Sequence, residues 1–199
     1  MKKIVALVSA ALLGLSVNAY SDDNWNTSEH NYNINSGNWG LEIRANGNDD
    51  YDHVEGSYKL ADNLELALRY AEDGVNTEIR PKLTHTLIGA GPLGLKHRIE
   101  YRYFEGNTTD DYFRYRLIAK MDVGPIWVKA EPRWTLGGDQ KTDTKIDDVK
   151  YQAGYDWTLS ASDTSSVVFT PYVEYLTAGD AGDWAKTHMI LGTRLAVQF

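Results

Sequence analysis

The arginines of this chain recur at alternate positions within strand-like segments, always on the polar side. All nine obey the rule: Arg44, Arg69, Arg80, Arg98, Arg102, Arg114, Arg116, Arg133 and Arg194. Lys59, Lys82, Lys96, Lys120, Lys129, Lys150 and Lys186 follow it. A guanidinium is a planar fork of donors that matches a carboxylate or phosphate edge. Rings of cationic side chains select anions in a pore. The chemistry on offer is recognition of anions.

Hairpin registers that keep each face aligned bring Arg80 opposite Arg102, Arg102 opposite Arg114, and Arg114 opposite Arg133. Like charges directly opposed destabilise a sheet. Such a rung makes sense only if an anion occupies the space it surrounds. Lys129, Arg98, Lys96 and Lys120 extend this track, and Arg44, Arg69, Arg116, Lys82 and Arg194 line the same face. Tyr112, Trp127 and Tyr172 offer stacking surfaces for sugars, or fill space. The opposing reading is a self-neutralised interior. Simple registers also place Lys59 opposite Glu65, Glu55 opposite Arg69, Lys82 opposite Glu100 and Arg116 opposite Glu131. A small barrel filled with such pairs conducts poorly.

The elements that carry these residues are strands. Residues 94–134 hold three alternating segments: Leu95–Tyr103, Tyr112–Met121 and Ile126–Trp134. Successive side chains of a strand point to opposite faces, so each segment has one apolar and one cationic face. The same period runs through Trp39–Arg44, Val54–Leu60, Leu64–Tyr70, Val75–Leu87, Val149–Leu159, Val167–Tyr175 and Met189–Phe199. That gives ten strands and no helix. Turn residues at Gly89–Pro92, Asp122–Pro125 and Gly137–Gly138 separate them. Residues 20–38 are polar and rich in asparagine. They read as a tail or a poorly formed first hairpin.

Alternation does not say which face is inside, since a soluble barrel alternates with its apolar face inward. Aromatic residues near strand ends favour the reverse: Trp39, Tyr70, Tyr103, Phe113, Trp134, Trp157 and Tyr175 resemble lipid-facing girdles. An arginine or lysine facing lipid at the midplane costs about 2–4 kcal/mol, which accounts for the strict sorting. With the amino end at the periplasm, the turns at 61–63, 89–93 and 122–125 lie there. The mostly longer connections at 105–110, 135–147 and 177–184 then face outward. Pro81, Pro132 and Pro171 fall within strands, where a closed barrel has no edge to hide a missing donor. Bulges or gaps are expected there.

The start of the chain sets the compartment. Met1-Lys2-Lys3, the apolar run Ile4–Val17 and the small residues to Ala19 form a secretory signal peptide. Three regions result: a signal peptide over 1–19, a polar segment over 20–38 and a barrel over 39–199. The net charge of −8 includes Lys2 and Lys3, so the mature chain stands at −10, which argues against nucleic acid. There is no cysteine, so no disulfide supports the exported fold. The fold class is all-β: a transmembrane, antiparallel, up-and-down barrel of ten to twelve strands behind a signal peptide.

RIEYRYFEG at 98–106, YFRYRLIAK at 112–120, KAEPRW at 129–134 and the closing Phe199 resemble the monomeric acidic-oligosaccharide porins. These are the oligogalacturonate-specific (KdgM-like) and sialic-acid-induced (NanC-like) channels. The resemblance is one of pattern and covers residues 39–199. That family has twelve strands and two facing basic tracks. It implies a monomer in the bacterial outer membrane, with lipid around it and acidic oligosaccharides or small anions diffusing through an arginine-lined lumen. The alternative is a plugged barrel serving adhesion or envelope structure.

No enzymatic constellation is expected. His85 and His97 face each other on the lipid side across the Gly-rich turn, without a serine or acid beside them. His53 lies near Asp50 and Asp52 at the outer rim. No metal-ligand spacing and no cofactor motif appears.

Overall fold

The computed structural model describes residues 28–46, 52–72, 77–105, 111–137, 146–178 and 188–199. The signal peptide, residues 20–27, Asp50 and Lys186 lie outside them. Twelve strand segments follow one another: β1 (Ser28–Ser36), β2 (Trp39–Asn46), β3 (Asp52–Ala61), β4 (Leu64–Glu72), β5 (Thr77–Ile88), β6 (Leu93–Glu105), β7 (Tyr112–Val123), β8 (Ile126–Gly137), β9 (Asp148–Tyr155), β10 (Trp157–Ala161), β11 (Ser166–Ala178) and β12 (His188–Gln198). Each pairs with its sequence neighbour except at Asp156, where one long strand breaks into β9 and β10. Both halves pair with β11, so the segments occupy eleven positions around the ring. The barrel closes by pairing β1 with β12.

Ten of these positions match the segments legible from alternation. The eleventh is β1, which forms the first hairpin with β2, so residues 28–38 take the hairpin alternative and not the tail. An odd count makes the closing pair parallel: Ser28 lies beside Leu191 and Asn35 beside Gln198. Ser28 therefore enters at the rim of the long connections, not at the short-turn rim where the periplasmic amino end was expected. Phe199 ends at the short-turn rim, where its N–H donates to Asn35 O at 3.1 Å.

Two of the two-residue turns need positive φ, where only glycine is unstrained. Gly37 (φ 56°) joins β1 to β2, and Gly124 (φ 60°) precedes Pro125 between β7 and β8. Both are two-residue turns, since Ser36 pairs with Trp39 and Val123 with Ile126. The prolines leave gaps, as their missing donors require. Pairing lapses between Ile79–Tyr103 and Lys82–Glu100, and between Arg116–Arg133 and Ala119–Ala130. The register shifts fall elsewhere, at Lys59/Ala61, Thr86/Ile88, Phe113/Arg114 and Thr158/Ser160.

Burial is inverted relative to a water-soluble domain. Leu41, Val54, Leu66, Leu68, Leu83, Ile99, Val128, Val173 and Leu191 are exposed on the outer face. Glu78, Glu100, Glu131, Glu174, Arg80, Lys82 and Thr170 are buried inside. Among the girdle residues, Trp39, Tyr70, Tyr103, Phe113 and Trp157 are exposed at the two ends of the strands.

Candidate functional site

The inward face is built in layers. At the rim of the long connections, Glu78 gathers two arginines: Arg80 Nη2 donates to it at 2.8 Å and Arg102 Nη2 at 2.6 Å. Both Nε atoms donate to the same carboxylate. Beside them Tyr112 lies under Arg102 and Arg114, with ring centroids 5.1 and 5.2 Å from the two guanidinium carbons. Its hydroxyl accepts from both.

One layer further in, Glu100 accepts from Arg116 at 2.6 Å and lies 3.8 Å from Arg80. Glu131 accepts from Arg116 at 2.5 Å and Arg133 at 3.1 Å, with Lys129 at 3.5 Å. Arg133 also reaches Asp148 at 3.3 Å. Across the barrel, Glu55 accepts from Arg69 at 2.6 Å and Lys82 at 2.5 Å, and Lys150 donates to Glu174 at 2.5 Å. Arg44 pairs with Glu29 of β1.

These contacts correct the predicted four-arginine rung. Arg102 faces Tyr112 and Arg114 faces Thr135, while Arg116 stands between Arg98 and Arg133. Across β5 and β6, Arg80 and Arg102 keep the expected register, at the lapse beside Pro81; the displacement is two residues across β6–β7 and β7–β8. On the β7–β8 side its cause is the tight Gly124–Pro125 turn. A two-residue slip keeps every side chain on its face, so the sorting was right and the row holds only from Arg80 to Arg102. Arg69 opposite Arg80 is a like-charge pair that went unanticipated. Lys59–Glu65, Glu55–Arg69 and Lys82–Glu100 are opposed as expected, although the Lys82 ammonium turns to Glu55. Arg116 and Glu131 are paired, but diagonally.

Below the ion-paired layers lies a cavity of about 360 Å³. It brings together Arg44, Arg69, Arg98, Arg116, Lys129 and Arg194 of the predicted site, with Lys96, Lys120 and Lys150. Arg80, Lys82, Arg102, Arg114 and Arg133 are not on its wall. Nine cations line the wall with four carboxylates, Glu29, Glu42, Glu55 and Glu131, and Glu100, Asp122, Glu174 and Asp156 pair with Arg116, Lys120, Lys150 and Arg194 from behind it. Among the described residues Arg98 has no carboxylate partner; its Nε donates to Thr84 Oγ1 at 2.9 Å.

The cavity floor carries Trp127 and Tyr172, the expected stacking or space-filling aromatics, together with Asp156, which alternation did not single out. Trp127 is buried, with Lys120 Nζ 5.6 Å and Arg194 Cζ 5.4 Å from its ring. Its N–H donates to Asp156 at 3.0 Å, and Thr170 donates to the same oxygen at 2.6 Å. Asp156 thus sits where β9 and β10 separate and turns the strand break into an anchor. Trp127, Gly154, Tyr172 and Gly192 form one rung across β8, β9, β11 and β12. Bulky and empty positions alternate, and Tyr172 crosses Gly192 to donate to Glu29. The alternation of Glu29, Asn31, Asn33 and Asn35 was the signal for β1. With only Tyr32 and Ile34 as apolar residues on the opposite face, next to His30, the contrast was too short to stand out.

His53 belongs to β3 and points inward, bonded to Glu42 at 2.7 Å. With Glu55 these side chains cluster as metal ligands do, within 4.8 Å. Both carboxylates already accept from Arg69. His85 and His97 do meet on the outer face, at 2.9 Å.

Apolar outside, charged inside and closed without an edge, the fold and its interior define the inside-out β-barrel class. No protein-family model matches the chain, and no curated protein matches it.

Proposed function

We propose that this chain is a monomeric outer-membrane barrel, exported by its signal peptide, through which small anions diffuse. The observation that carries the reading is that nine cations and only four carboxylates line the lumen cavity. A cationic vestibule between low-dielectric walls concentrates anions and repels cations. Arg98, Lys96, Lys120 and Arg194 supply the attraction. Trp127 and Tyr172 give flat surfaces beside them. The resemblance to acidic-oligosaccharide porins extends the proposal to acidic sugars as the solute.

One observation favours a plugged barrel instead. Glu78, Glu100 and Glu131 each hold more than one cation between the cavity and the long-connection rim. Such a layer narrows the path, and the barrel would then serve the envelope through its surface.

Conductance of the refolded mature chain in a planar bilayer decides between them. Anion-selective openings are expected, with selectivity lost in Arg98→Glu/Lys120→Glu. A folded barrel that stays silent overturns anion passage and leaves the plug.

A further inference from the structure

Arg114 stands apart from the arginines around it. Arg80 and Arg102 close on Glu78, and Arg133 on Glu131 and Asp148. Among the described residues Arg114 has no carboxylate within ion-pair distance. Its Nη2 donates to Tyr112 Oη at 2.9 Å, and its Nε is sealed from solvent with no acceptor. Arg102 Nη1 donates to the same phenolic oxygen.

Two cations therefore converge on one neutral atom. A phenol oxygen satisfies hydrogen bonds, but it supplies no charge, and a buried cation without a counter-charge is unfavourable. An oxyanion would supply both what the phenol gives and what it lacks. Its oxygens can accept from the two forks at once, in the geometry that guanidinium matches best.

We infer that Arg102 and Arg114 form an oxyanion-binding site at the rim of the long connections, held by the Tyr112 hydroxyl until an oxyanion displaces it. The ligand class is a sulfate-, phosphate- or carboxylate-like group. The ring of Tyr112 stays with the guanidiniums through its π face, so only the hydroxyl must yield. Placed beside Glu78 at the outer side of the ion-paired layer, the site is the first cationic station for an anion entering from that rim. The inference deepens the anion-passage reading, but binding at this site does not require that the lumen conduct.

The test is sulfate titration by calorimetry into the refolded full barrel in detergent micelles. Tyr112→Phe removes the competing oxygen and keeps the ring. Losing a competing hydrogen bond of about 1 kcal/mol corresponds to roughly fivefold tighter sulfate binding. Arg114→Gln is expected to abolish binding in both backgrounds, whereas Lys59→Gln, at the opposite rim, leaves it unchanged. Equal or weaker binding by Tyr112→Phe overturns the inference, because the hydroxyl would then be a neutral bystander or a ligand donor. Retained binding in folded Arg114→Gln overturns it too. If Arg114→Gln does not fold, the comparison of Tyr112→Phe with the unaltered chain decides alone. Tyr112-dependent sulfate binding in a barrel that never conducts would sink passage and keep the site. Conductance in a barrel whose sulfate binding does not change with Tyr112→Phe would do the converse.

Discussion

Arg116 and Arg133 face each other across β7 and β8, and one carboxylate oxygen, Glu131 Oε1, holds them both, at 2.5 and 3.1 Å. Glu100 takes the other side of Arg116. Like charges in direct cross-strand opposition repel, so this part of the wall exists only through its glutamates. Removing one partner from a buried ion pair costs about 3–5 kcal/mol, because the other charge is left uncompensated. Glu131→Gln is expected to lose stability on that scale, read as the urea midpoint of the barrel in micelles. Glu105→Gln, exposed at the rim, should stay within about 0.5 kcal/mol. Equal losses in the two variants would show that Glu131 does not hold the pair together.

The rung Trp127–Gly154–Tyr172–Gly192 makes a packing prediction. A Cβ on Gly192 would overlap the Tyr172 ring, and one on Gly154 would lie 2.5 Å from Trp127 Cζ2. Overpacking of a closed interior costs about 1–3 kcal/mol. Gly192→Ala should destabilise by that amount in the unaltered barrel. In a Tyr172→Ala background the ring is gone, and the same change should cost less than about 0.5 kcal/mol. Residues in contact are non-additive in this way, whereas distant ones are additive. An additive double-mutant cycle would mean that Tyr172 does not cross Gly192.

Much of this was legible from period-two alternation. The outer face from Leu41 to Leu191 and the inward arginines follow from it, because a strand side chain has only two choices. Register was not legible. Arg102 opposite Arg114 and Arg102 opposite Tyr112 differ by a two-residue slip, which changes no face and is set by turn geometry. The tight turn at Gly124–Pro125 supplied that information for β7 and β8 only in three dimensions. Strand β1 was hidden for another reason. Only Tyr32 and Ile34, beside His30, give its outer face apolar contrast, and its partners are the last strand and the second. Asp156 as an anchor depends on Trp127 and Thr170 arriving from other strands, which no local window contains.

Leu68 tests where the outer face resides. It sits mid-strand in β4, 56% exposed, with Leu66 and Tyr70 on the same face. If water bathed that face, Leu68→Arg would be an ordinary surface substitution, worth within about 0.5 kcal/mol. In a bilayer the guanidinium must be carried into hydrocarbon, at a cost of about 2–4 kcal/mol near the midplane and far less near an interface. The barrel placed in the membrane therefore predicts a graded series. Leu68→Arg should be strongly destabilising in lipid vesicles, and Leu93→Arg, at the start of β6 beside the short turn, much less so. Reversible urea titration of vesicle-inserted barrels reads both. A flat response, with neither arginine costing more than an exposed loop change, would remove the membrane from the account and leave an inside-out barrel without a solvent to explain it.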